Sequence, residues 1–135
     1  MRAAATSIIG PFTNTNSRLG IVTFSASATT RLPLTFVTTE SVAPTGAHGA
    51  AVASITLDDG TNWQDAILKS NAVFTASPRA GAGKLLIMVS DGEPKNYNLP
   101  DGSPSAKLGT SNNPLALDPA ITAANAFKAS GGHVL

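Results

Sequence analysis

Two residues of this chain have the type and the setting to do chemistry with a cation. Thr61 follows Gly60 inside "LDDGTNWQDAILKS", residues 57–70, at what reads as the start of a helix. Asp91 follows the apolar run "KLLIMVS" directly, within "SDGEP". A hydroxyl and a carboxylate are hard oxygen donors. Mg2+ takes about six oxygens in near-octahedral geometry and keeps several of them as water, so hydroxyls with one or two carboxylates suffice to hold it. Each residue also has a plainer reading. Thr61 with Gln64 has the T-x-x-Q spacing of a capping box, in which the hydroxyl satisfies a helix N–H. Asp91 opens an Asp-Gly turn. The readings are compatible, because a cap hydroxyl can also face an ion.

Other chemistry finds less support. Asp58 and Asp59 could meet calcium, but they lack the alternating oxygens of an EF-hand loop. Glu93, Asp101 and Asp118 read as solvated loop or cap residues. His48 and His133 stand alone, without a zinc-type partner at the right spacing, and read as structural or exposed. "GAGK", residues 81–84, is not a phosphate loop: the full pattern needs Gly at Pro78 and Ser or Thr at Leu85. No G-x-S-x-G elbow occurs, so a hydrolase has no support and the chain reads as non-enzymatic. Trp63 and Phe74 are core candidates.

Composition narrows the classes further. At 135 residues the chain has the length of one small domain. Nine Lys and Arg against eight Asp and Glu give a net charge of +1, with no basic stripe for nucleic acid. Charged residues are 13%, against the roughly 25% usual for soluble domains, and Thr, Ser, Asn and Gly carry the polarity. That balance suits an exported bacterial surface protein. Without cysteine there is no disulfide, thiolate metal site or thiol nucleophile. No run approaches the 18 or so apolar residues of a membrane span, and "MRAAATSIIGPF" lacks a signal-peptide cleavage site.

The elements that must position Thr61 and Asp91 follow from pattern. Arg2 to Ile9 reads as a helix, so the chain begins within an element. "LGIVTFSA", Leu19 to Ala26, is nearly continuous in apolar and β-branched residues, as in a strand covered on both faces. "TTRLPLT", Thr29 to Thr35, alternates, and Pro33 confines it to an edge. The short gap between them predicts a hairpin and one antiparallel edge. Pro44, Gly46 and Gly49 mark turns before a short helix in "AAVASITL". Trp63, Ala66, Ile67, Ser70 and Phe74 recur at helical spacing and give a helix from about Asn62 to Ala76, ended by Pro78. Lys84 to Ser90 reads as a central parallel strand. A loop rich in Asn, Pro, Gly and Ser runs from Gly92 to Leu117, a length that marks function or disorder. A last helix takes Asp118 as N-cap and Pro119 as its first residue and stops at Gly131 and Gly132, before a strand at "HVL". This alternation predicts an α/β fold with parallel pairing. Asp91, at the carboxyl end of the central strand, then lies where open sheets bind ligands.

"LGIVTFSASA", "GTNWQDAI" and "KLLIMVSDGEP", in this order and at these separations, resemble the von Willebrand factor A domain over nearly the whole chain. The resemblance implies a single, partial domain over residues 1–135. Its fold would be a Rossmann-like, mostly parallel sheet with one antiparallel edge strand and helices on both faces. In that family a metal-ion-dependent adhesion site holds a divalent cation through an Asp-x-Ser-x-Ser loop, a later threonine and an aspartate after the fourth strand. Thr61 matches the threonine and Asp91 the aspartate. The implied cofactor is Mg2+, or Mn2+ or Ca2+, held weakly or not at all by these 135 residues, because no Asp-x-Ser-x-Ser occurs. "SASAT" follows the wrong strand and has no aspartate. By resemblance, the first strand and its loop would precede Met1, and a last helix and strand would follow Leu135. Loss of that first strand would bare two apolar strand edges. The implied function is a metal-dependent adhesion module of a larger bacterial surface protein, outside the cell. It would bind a protein or matrix partner through an acidic side chain. The alternatives are an intracellular assembly domain of an ATP-driven, magnesium-chelatase-like complex, or a fragment without independent function.

Overall fold

The computed structural model describes residues 2–56, 58–109 and 113–135. The chain groups into two compact units, Met1–Thr23 with Thr30–Leu57, and Phe24–Thr29 with Asp58–Leu135.

In the first unit, α1 (Arg2–Ile9) spans the expected residues and runs into a 3-10 turn, Gly10–Phe12. Strands β1 (Arg18–Phe24) and β2 (Ala28–Phe36) form the predicted hairpin, whose tip belongs to the second unit. No residue of β1 is buried, so the expectation of a strand covered on both faces is corrected. Among the described residues β1 has β2 as its one partner and sits in a two-stranded sheet. A short helix, α2 (Thr39–Val42), was not foreseen. Thr38 and Ser41 close a reciprocal capping box around it, which holds four residues helical that have no apolar period of their own. α3 (Ala47–Ala53) replaces the helix expected in "AAVASITL", starting earlier and ending before Ile55. Ile9, Val37 and Val52 form the core, backed by Phe12, Leu19 and Ile21. His48 is fully buried, with Nδ1 at 3.0 Å from Ser41 Oγ and Nε2 at 3.2 Å from the Leu19 carbonyl. It is a satisfied core histidine, whereas His133 is exposed.

In the second unit, α4 (Trp63–Ala76) buries Ala66, Ile67 and Ser70 at the predicted spacing. β3 (Lys84–Leu86) pairs in parallel with β4 (Gly132–Val134), placing Lys84 opposite Gly132 and Leu86 opposite Val134. Beyond β3 the pairing persists, as Leu135 N donates to Leu86 O and Met88 N to Leu135 O. α5 (Pro114–Ala129) begins at Asn113 and Pro114, not at Asp118 and Pro119. Asn113 Oδ1 accepts from Leu115 N at 3.0 Å and Pro114 supplies the pre-set φ, so this pair caps one turn earlier; Pro119 lies inside the helix. The described part of the loop therefore ends at Asn113 and not at Leu117. Residues 110–112 of that loop lie outside the described residues.

α4 and α5 pack on each other around Ile67, Ala123 and Phe127, with Leu86 and Met88 of the strand against the same cluster. Phe127 is 1% exposed, and its ring centroid lies 5.5 Å from that of Phe74. Gly132 is required where β4 starts, because a Cβ there would run into the Phe127 ring.

The chain thus combines helices and strands as an α/β protein, but the mostly parallel Rossmann-like sheet is not formed. Among the described residues the strands make two separate two-stranded sheets. Lys84 to Ser90 is correspondingly not a central strand. Leu86 and Met88 face the core, while Leu85, Ile87 and Val89 are 41%, 36% and 41% exposed. Among the described residues, the backbone of Ile87 and Val89 has no backbone partner on the side away from β4.

Candidate metal-binding cleft at Thr61 and Asp91

Thr61 does not cap the helix that it precedes. The N-cap of α4 is Asn62, whose Oδ1 accepts from Asp65 N at 3.0 Å. Gln64, the presumed partner in the capping box, turns elsewhere and accepts from Asn98 N at 2.8 Å. The capping-box expectation is therefore corrected by one residue. Asn ranks with Asp and Ser among the best N-caps, and its amide also serves a second purpose here. Asn62 Nδ2 donates to Ala26 O at 2.9 Å and to Asn98 Oδ1 at 2.8 Å, so the fully buried side chain ties the helix start to the hairpin tip and to the later loop.

Relieved of capping, the Thr61 hydroxyl has no hydrogen-bond partner among the described residues. Its peptide is nevertheless held on both sides. Thr61 N donates to Asn96 Oδ1 at 3.1 Å, and Thr61 O accepts from Lys95 N at 2.8 Å and Asn96 N at 3.0 Å. Gly60 makes this approach possible. Its φ is +97°, and a Cβ there would lie 2.7 Å from Ala26 N and 2.8 Å from Asn96 Oδ1.

The structure brings the two predicted residues together: Thr61 and Asp91 line one open cleft of about 450 Å³. Asp91 is exposed, in the turn after the strand. Beside it Ser90 Oγ donates to Gly92 O at 2.8 Å and accepts from Gly92 N, and Trp63 Nε1 reaches Ser90 Oγ at 3.4 Å. The indole thus links the start of α4 to the Asp91 turn. The cleft also contains Asp58, Asp59 and Glu93 and two ammonium groups, Lys95 and Lys107. Four carboxylates with Asp91 included, against two lysines, leave it net negative. Lys107 pairs with Asp59. The hydrogen bond from Lys107, then that from the Gly60 backbone and the lysine charge, hold the Asp59 carboxyl below its ordinary range. No pattern in the sequence pointed to Lys95, Lys107, Asn62 or Asn96. Their positions follow from long-range hydrogen bonds that have no period.

The donors fit a hard divalent ion in type. Thr61 offers a free hydroxyl and Asp91 an exposed carboxylate. Glu93 Oε2, in the same cleft, is buried with no hydrogen-bond partner among the described residues, an oxygen left with unmet demand. In number they form an open site. No group of three or more His, Cys, Asp and Glu side chains among the described residues is placed to hold a metal. A cation at Thr61 and Asp91 would complete its shell with water or with an incoming ligand. No helix among the described residues is long and apolar enough to cross a membrane.

The sequence profile of the von Willebrand factor type A domain matches residues 1–115. Comparison with curated proteins and with solved structures returns no match. The profile match over most of the chain places it in the von Willebrand factor type A domain family, whose members are typically non-enzymatic protein-interaction modules.

Proposed function

We propose that this chain is part of a metal-dependent adhesion module, in which Thr61 and Asp91 supply two of the oxygens for a Mg2+ that these 135 residues hold weakly, and which binds a protein or matrix partner through an acidic side chain of that partner. The observation that carries this reading is that Thr61, which does not cap α4, lines the same cleft as Asp91. The net negative charge of the cleft supports it as well. A partner carboxylate approaching four carboxylates and two lysines is repelled until a cation intervenes. A bound Mg2+ supplies positive charge and an open coordination position. The chain itself holds the Thr61 peptide in place, and Asp91 offers an exposed carboxylate beside it. The 13% charged composition fits a setting on a bacterial surface, as part of a longer protein.

The test is retention of the chain on surfaces coated with extracellular-matrix proteins, in Mg2+ and in EDTA. Binding is expected in Mg2+ only, and Asp91→Ala abolishes it without changing the unfolding midpoint. Retention that survives EDTA, or that Asp91→Ala leaves unchanged while the wild type is EDTA-sensitive, breaks the assignment.

A further inference from the structure

The segment after Asp91 does more than close the cleft. From Pro94 to Leu108 it forms a strap laid against the start of α4 and held largely by amide side chains. Asn98 Nδ2 donates to Asp65 Oδ1, Tyr97 N to Ser105 Oγ, and Leu108 N to Lys95 O. Lys95 and Asn96 are the members of the strap that touch Thr61, Lys95 through its backbone N–H and Asn96 through its side chain as well. Asn96 is 2% exposed, and its side chain is fully used: Oδ1 accepts from Thr61 N and Nδ2 donates to Ser105 O at 2.9 Å. Its own N–H donates to Thr61 O.

We propose that Asn96 is the positioning residue of the Thr61 site: it clamps the Thr61 peptide from both sides and so fixes where the free hydroxyl stands toward a cation. The inference rests on the metal-binding reading of the cleft. Its physical basis is that the Thr61 hydroxyl has no hydrogen bond among the described residues to orient it, so the placing of its backbone, together with the stiff χ1 of a β-branched side chain, decides where it stands. Gly60, with its positive φ, leaves that backbone free to turn unless something holds it. Asn96 supplies the restraint from a buried position, where an amide that lost its partner would carry the full cost of desolvation. The clamp therefore favours one orientation of Thr61 before any ion arrives, and less ordering is left for binding to accomplish.

The test uses the full chain, with amide hydrogen exchange at Thr61 followed by NMR without metal and Mn2+ affinity then measured by electron paramagnetic resonance. In the wild type the Thr61 N–H is protected. Asn96→Ala exposes it and weakens Mn2+ by about tenfold, the scale of one lost hydrogen bond to a buried group. Ser105→Ala removes hydroxyl bonds from the same strap while sparing those to Thr61. It loses thermal stability comparably and keeps both protection and Mn2+ affinity. The inference is overturned if Thr61 N–H exchanges freely in the wild type. It is overturned too if Asn96→Ala and Ser105→Ala lose Mn2+ alike, in step with their stability. A wild-type chain that protects Thr61 N–H and binds no Mn2+ removes the metal reading, and the role of Asn96 toward a cation with it. The exchange data separate that failure from failure of the clamp.

Discussion

The two ends of α4 meet their surroundings in opposite ways. At its N-terminus, Asn62, Gln64 and Asp65 are tied by side-chain hydrogen bonds to residues 26–28 and to the strap at 96–98. Along its length the helix packs with α5 on a strand that is finished on one face only: Leu86 and Met88 meet the core while Leu85, Ile87 and Val89 face outward. The difference shows that this chain builds its site from side-chain hydrogen bonds between residues distant in sequence and not from a completed sheet. A short two-stranded sheet leaves edges and faces unsatisfied, yet the cleft at Thr61 and Asp91 keeps its form because over-determined loop contacts define it.

The largest expected effects lie on the strand side. Phe127→Ala empties the centre of the α4–α5 packing and should cost about 3–5 kcal/mol in denaturant unfolding. Ile87→Lys, on the outward face of the extended run that follows β3, should change stability by less than about 0.5 kcal/mol and reduce concentration-dependent association seen by light scattering. A large stability loss in Ile87→Lys would show that this face is covered, and the contrast would fail.

At the rim, Asn62→Ala should cost about 1–2 kcal/mol, the scale of a lost N-cap. Thr61→Ala, next to it, should cost less than about 0.5 kcal/mol because its hydroxyl has no hydrogen-bond partner among the described residues. Equal costs would return Thr61 to a capping role.

The smallest effect concerns the Lys107–Asp59 pair on the exposed wall of the cleft. The folded-state pKa of Asp59 lies below its ordinary value of 3.8, with the hydrogen bond from Lys107 as the first cause. Its contribution to stability is thus complete above that ordinary value and disappears as pH falls through the lower folded value. Lys107→Ala should reduce this slight acid dependence, leaving the part due to the Gly60 backbone, with the midpoint at neutral pH nearly unchanged, and salt should act in the same direction.

Part of this was legible in the residues alone. The helix at Trp63 to Ala76 followed from its apolar spacing, and Thr61 and Asp91 could be picked out as oxygen donors and matched to one family. The site's supports were not legible. "KNYN" and the residues around it read as a loop because Asn is common in loops, and side-chain bonds to distant backbone leave no period. Asn113-Pro114 and Asp118-Pro119 give the same cap signal, and packing of Ala116 and Ala120 selects the earlier one. The run Lys84 to Ser90 has the composition of a strand buried on both faces, and composition cannot reveal that one face stays open.

The central claim is that Thr61 serves a cation and Asn62 serves the helix. It is tested most directly by titrating Mn2+ into wild-type chain and Thr61→Ala, by electron paramagnetic resonance, with the unfolding midpoint of each measured alongside. The account predicts weaker Mn2+ binding in Thr61→Ala at an unchanged midpoint. Unchanged Mn2+ binding together with a lowered midpoint would contradict it and make Thr61 a structural residue of the α4 start.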